Sequence, residues 1–165
     1  GSASPNKHCW WCRSNATSTL HAYEVEVGAS LHDHCPMSSS EATTRGVYVQ
    51  VESTLDPMRS NPEQNHWFFL YTVTISNEGD ETVQLLNRHW IITDGDGHVQ
   101  EVRGPGVVGE QPVLEPGQSF KYTSGCPLRT AFGFMRGTYT MRTEGGESFE
   151  AQIADFELSE PYAIN

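Results

Sequence analysis

The sequence predicts an all-β domain of two packed sheets with an N-terminal appendage, and three observations carry that reading. From residue 44 onward, one segment after another alternates apolar and polar residues with period two, the pattern of half-buried strands. Each segment ends at a cluster of Gly, Pro, Asn or Asp, and no stretch shows the 3.6-residue apolar period of an amphipathic helix. The chain has 165 residues, 36% of them hydrophobic, which is enough for one core and one domain.

The strands follow in order. In "VYVQVES", Val47, Val49 and Val51 alternate with Tyr48, Gln50 and Glu52. "NPEQNH" then introduces "WFFLYTVTIS", where Phe69, Tyr71, Val73 and Ile75 share a face, and "NEGDE" separates it from "TVQLLNRHWIIT". "DGDG" at Asp94 to Gly97 reads as a hairpin turn, because Asp-Gly pairs tolerate the positive φ that tight hairpins need; "HVQEV" is the return strand. Pro116-Gly117 turns the chain into a strand with Phe120 and Tyr122 on one side. "GFMRGTYTMRT" and "SFEAQIADFEL" close the series, joined by Glu144-Gly145-Gly146-Glu147. About seven strands in roughly 120 residues match a two-sheet sandwich of immunoglobulin or fibronectin III type.

Residues 1–43 differ in composition, being rich in Ser, Thr, Ala, His and Cys, with one short alternation at Tyr23, Val25 and Val27. The expected division is therefore an extension over 1–43 and a sandwich over 44–165. Cys9 and Cys12 form C-x-x-C, and after 19 intervening residues His32 and Cys35 form H-x-x-C. Two such pairs present four ligands to one ion, so these residues are candidates for a structural zinc site, with His8 and His34 as alternative ligands. The competing readings are an extension without fixed structure or a Cys9-Cys12 or Cys9-Cys35 disulfide. No cofactor is otherwise required.

With 21 acidic against 10 basic residues, the net charge is -11 at pH 7. That field repels the phosphate backbone and argues against a nucleic-acid partner. No apolar run approaches the roughly 20 residues that span a bilayer, so no membrane partner is expected. The N-terminus lacks the charged-then-apolar layout of a secretory signal, and an intracellular location is expected.

Residues 102–112, "VRGPGVVGEQP", place Gly104, Gly106 and Gly109 in the spacing G-x-G-x-x-G. In dinucleotide-binding folds that spacing works between a parallel strand and a helix whose N-terminus faces the pyrophosphate. No helical pattern follows here, and "SGCPLR" offers no acid where a ribose hydroxyl would be held. A bent connection needing positive φ or close backbone approach is the simpler reading. Backbone N–H groups beside Arg103 could still face an anion without any helix.

The run "NRHWIITDGDGHVQEVRGPGVVGEQPVLEPGQSFKYTSGCPL", with "MRGTY" and "FEAQIADFELSEP", closely resembles the ApaG family over residues 44 to 165. The resemblance implies a fibronectin III-like sandwich, found alone in bacteria and as a module in F-box and polymerase delta-interacting proteins. It implies a role in protein contacts with no established enzymatic activity, and, for the bacterial members, a link to cobalt and magnesium tolerance. A pyrophosphate-binding proposal attaches to the family's glycine motif. The matching positions are Arg88, His89, Trp90, Arg103, Gly104, Gly106, Val107, Val108, Gly109 and Pro112.

Alternation puts Arg88 and Trp90 on one strand face and His89 on the other. Trp90 is then a core aromatic, and Arg88 either stacks on its ring or, with Arg103, meets a carboxylate or phosphate of a partner. Catalysis has no support: G-x-S-x-G, H-E-x-x-H and a Walker loop with its lysine are all missing. Asp94 and Asp96 are explained by turn chemistry, and Cys126 by burial. The reading is a noncatalytic recognition module for a protein, its binding positions being Arg88, His89, Arg103, Gly104, Gly106, Val107 and Gly109. The alternative is pyrophosphate or a dinucleoside polyphosphate at the same loop. Exposed sheet edges also permit a homodimer.

Overall fold

The computed structural model describes residues 38–159. Nine strands run through them: β1 Ser38–Thr44, β2 Val47–Leu55, β3 Trp67–Asn77, β4 Val83–Asp94, β5 Val99–Pro105, β6 Val113–Leu114, β7 Ser119–Leu128, β8 Phe132–Thr143 and β9 Ser148–Ser159. One sheet has the order β1-β2-β3-β7; the other runs β5-β4-β8-β9, with β6 pairing β4. Every pairing is antiparallel. Among the described residues the helical content is two single 3-10 turns, Pro57–Arg59 and Pro62–Gln64. The all-β sandwich expected from the alternation is thus present.

The hairpins follow from their turn residues. Between β4 and β5, Gly97 takes φ +83 while the Gly97 N–H bonds Asp94 O at 3.1 Å. The β8–β9 turn repeats this arrangement, with Gly146 at φ +89 and its N–H on Thr143 O at 2.9 Å. A Gly in the left-handed region after a tight turn keeps the twist of the flanking strands compatible.

Two strands lie outside the sequence reading. β6 is two residues long and carries no periodic signal. β1, "SSSEATT", contains no large apolar residue and starts at Ser38, before the compositional change read at residue 44. Its hydroxyls explain it. Ser40 Oγ donates to Ala154 O at 2.8 Å, and Ser38 Oγ and Thr44 Oγ1 accept from the N–H groups of Glu157 and Gln152 at 3.0 Å each. From β2, Ser53 Oγ donates to Glu157 O at 2.7 Å. The free edge of β9, which would otherwise offer a row of bare donors and acceptors, is stitched to the opposite sheet by side chains.

The core lies between the sheets, and Trp90 is at its centre. Its ring meets Tyr71 from the facing sheet at 5.4 Å and 65°, Tyr139 at 6.1 Å and Phe156 at 6.0 Å. These edge-on contacts are the favoured geometry for aromatic pairs. Tyr122 on β7 and Tyr139 on β8 share a hydrogen bond between their hydroxyls, which ties the sheets together. Burial pushes both phenols up.

Cys126 on β7 is fully buried, and burial raises its thiol to about 12. At pH 8 it is a neutral, inaccessible group, so the buried-thiol reading holds. Iodoacetamide at pH 8 should leave Cys126 unmodified in the folded chain and label it in guanidinium, as read by peptide mass spectrometry. Labelling under native conditions at the same rate would contradict this packing.

Candidate functional site

β4 positions the site because a bulge changes its parity. Val83 and Leu85 face the core, the pairing with β8 shifts between Leu85 and Asn87, and beyond it Trp90 and Ile92 face inward. Arg88 therefore shares the inward side with Trp90, and His89 points to the outer face. Directly opposite His89 stand Arg103 on β5 and Thr138 on β8, and opposite Thr138 stands Gln152 on β9. Facing residues on paired strands share one side of a sheet. The outer face thus carries the row Arg103, His89, Thr138, Gln152.

The next row along is Pro105, Asn87, Thr140 and Glu150. Thr140 Oγ1 donates to Glu150 Oε1 at 2.9 Å. Together the two rows line an open groove of about 630 Å³ that also takes in Arg88 and Gly104. Four of the sequence-derived binding positions, Arg88, His89, Arg103 and Gly104, therefore meet in one place.

Arg88 does not stack on Trp90. Its Nη1 donates to the carbonyls of Pro105 and Gly106, both at 2.9 Å, so the guanidinium braces the entry to the glycine loop. In place of the cation-π pair, one of the two alternatives for Arg88, there are two charge-assisted hydrogen bonds, the stronger option for a partly buried cation. Cation-π contacts are found elsewhere, with Arg45 over Phe149 at 4.8 Å and Arg59 over Phe68 at 5.7 Å.

The loop itself is a tight two-residue turn. Val107 and Glu110 exchange both backbone hydrogen bonds, at 2.8 and 2.9 Å, with Val108 at φ +44 and Gly109 at φ +79 between them. Two consecutive positive φ values define a type I′ turn. For a β-branched residue such as Val108 this conformation is strained, at a cost of about 1–3 kcal/mol. Gly106, at φ +63, leaves no room for a side chain, since a Cβ would lie 2.3 Å from Glu110 O. Its N–H is bonded to Leu86 O at 2.8 Å. Val107, one of the expected binding positions, is buried in the core and anchors the loop. Exposed instead are Val108 at the tip and Val113 beyond it.

Strands β6 and β7 follow this loop, with no helix between. Three of its N–H groups, those of Gly106, Val107 and Glu110, already donate to the chain's own carbonyls. Gly106 and Gly109 take positive φ, Gly106 alone of the two closes on Glu110 O, and Gly104 lies within strand β5.

At the β4–β5 hairpin, Asp94 Oδ1 accepts from the N–H groups of Asp96 and His98, both at 2.9 Å, and Oδ2 lies 3.3 Å from His98 Nδ1. Ligand atoms of Asp94, Asp96 and His98 lie within 4.8 Å of one another. Turn formation accounts for Asp94, as the sequence implied. The candidate zinc ligands Cys9, Cys12, His32 and Cys35 lie outside the described residues.

Sequence reasoning missed the walls supplied by β8 and β9, namely Thr138, Thr140, Glu150 and Gln152, together with Asn87 and Glu101. Alternation marks Thr138 and Thr140 as outward neighbours of buried Tyr139 and Met141. Only the strand pairing puts them beside His89.

Comparison with known proteins gives a consistent family. The ApaG domain model matches residues 57–143. Protein ApaG of Methylorubrum extorquens (strain PA1) is 59% identical over 122 residues, covering 74% of this chain and 94% of that protein. Protein ApaG of Rhodopseudomonas palustris (strain TIE-1) is 57% identical over 120 residues, covering 73% and 92%. The crystal structure of a Bordetella pertussis protein designated ApaA superposes with a TM-score of 0.70 at 52% identity, covering 71% of this chain and 95% of that one.

Proposed function

The chain belongs to the ApaG domain family, and from that premise we propose that it is a noncatalytic recognition module whose ligand is another protein. The observation that supports this most is the outer-face groove, where Arg88, His89, Arg103 and Gly104 converge with Thr138 and Gln152 from two further strands. It is open and polar, and the exposed apolar tip of Val108 stands on the adjoining loop. A polar surface with a rigid apolar projection suits contact with a protein surface.

Polyphosphate binding at the glycine loop draws less support, because the N–H groups of Gly106, Val107 and Glu110 are engaged internally. An anion there would have to replace those bonds, and the Glu110 carbonyl already fills the space beside Gly106.

Affinity capture from native extract, quantified by mass spectrometry, tests the reading. Arg103→Ala should reduce recovery of the partner several-fold while leaving the far-ultraviolet spectrum unchanged. Gly106→Ala should do the same, since its Cβ must displace Glu110 O and re-aim the loop. Equal recovery by both variants and the parent chain would move the recognition surface elsewhere.

A further inference from the structure

Among the described residues two phenylalanines are exposed, and they stand together: Phe132 is 45% and Phe134 47% exposed, two residues apart on β8. That spacing puts both rings on the outer face of the sheet. Strand register widens the patch. Phe134 faces Thr93 on β4, Thr93 faces exposed Val99 on β5, and half-buried Ile91 stands two residues back along β4 on the same side.

The patch is held in place from below. A Cβ on Gly95 would lie 2.9 Å from Phe132 Cε1, so one side of that ring rests on the β4–β5 turn. Thr130 Oγ1 donates to Phe132 O at 2.7 Å and accepts from the Gly95 N–H at 2.8 Å, which ties the start of β8 to the same turn. An apolar surface fixed in this way loses little freedom when a ligand covers it.

Its rim is acidic. Glu157 on β9 faces Phe134 directly, and the bulge in the β8–β9 pairing sets Asp155 opposite Arg136. Neither acid forms an ion pair among the described residues. Glu101 flanks Val99 on β5, and Asp94 begins the hairpin under Phe132. Arg136 and Arg129 are the cations beside the two rings, too few to balance these carboxylates in a chain of net charge -11.

We propose that this patch docks a basic, apolar segment of the partner protein, with aliphatic side chains on Phe132, Phe134 and Val99 and a lysine or arginine against Glu157 and Asp155. This rests on the recognition reading and adds a second contact area on the same outer face, beyond Ile91, together with the chemistry of its ligand. Glu157 is one strand spacing from Phe134, about 5 Å, inside the roughly 8 Å over which charges act at physiological ionic strength. An acidic segment would meet the same carboxylates at like charge, which excludes it.

The test is an NMR titration of the full chain with Ac-Lys-Leu-Lys-Leu-Lys-NH2, its charge-reversed counterpart Ac-Glu-Leu-Glu-Leu-Glu-NH2 and the apolar-deleted Ac-Lys-Gly-Lys-Gly-Lys-NH2, following the amides of Thr93, Val99, Phe134 and Glu157. The first peptide should give saturable shifts at these groups and the other two none. Phe134→Ser, at an exposed position, should leave the far-ultraviolet spectrum unchanged and weaken binding by roughly tenfold, and Glu157→Gln should weaken it several-fold. An equal response to either control peptide, or no response to the first, would overturn the assignment. So would shifts of these amides with protein concentration alone, which make a second copy the occupant, or on Tyr162→Ala without any peptide, which make residues 160–165 the occupant. If the first peptide is silent while Arg103→Ala and Gly106→Ala still lose the natural partner, the apolar docking surface falls and the groove stands. If the peptide binds while those variants capture normally, the groove falls and this surface stands.

Discussion

Trp90→Ala is expected to remove most of the domain's stability, at about 3–5 kcal/mol. Domains of this kind are stable by only about 5–15 kcal/mol in total, so the variant should be partly unfolded at physiological temperature. The size of the effect follows from where the ring sits. Trp90 contacts Tyr71 on one sheet and Tyr139 and Phe156 on the other, so its loss opens a cavity that neither sheet can close alone. Urea denaturation followed by circular dichroism measures it, with Trp90→Phe expected to recover part of the loss. A cost under about 1 kcal/mol would mean that the sheets are held together elsewhere.

Gly137→Ala should be the most damaging glycine substitution, even though alanine is normally preferred within a strand by about 0.5–1 kcal/mol. A Cβ at Gly137 would lie 2.0 Å from His89 O and 3.2 Å from Trp90 Cα. Both atoms belong to the backbone of the strand paired with it, so relief requires parting β4 from β8 at the middle of the sheet. We expect a loss of about 3 kcal/mol, at the upper end of what overpacking costs. Gly97→Ala is the matched comparison, since a Cβ there meets nothing within 4 Å although φ is +83. That variant should lose only about 1 kcal/mol, the strain of an alanine at positive φ. Equal midpoints of thermal unfolding for the two variants would refute the close-approach argument. Gly137→Ala should also disturb the groove, because the strand it pushes carries His89.

What could be read from the sequence was set by burial. Strands β2, β3, β7, β8 and β9 carry one buried face and announce it by alternation, as Phe69, Tyr71, Val73 and Ile75 do. β1 hid because it has no large apolar residue: backbone pairing with β2 and hydroxyl contacts with β9 hold it, and no periodic pattern records either. The glycine loop was legible as geometry, with positive φ at Gly106 and Gly109. The groove was legible only in part. His89 and Arg103 stood out as residue types, but their placement depends on a bulge beside Leu86 that reverses the inward set of β4. The contribution of Thr138 and Gln152 depends on register, which a single chain of letters does not display.

The hydroxyl seam between β1 and β9 also has a meaning in time. Its bonds join residues 108 to 119 positions apart, so although the backbone of β1 pairs with neighbouring β2, its hydroxyl contacts wait for the last described strand. Closing so long a loop costs entropy that no local contact repays beforehand. The seam therefore forms after the sheets have assembled, and the growing chain keeps Ser38, Ser40 and Thr44 in water until β9 arrives. The sandwich is sealed by the meeting of the two ends of the domain.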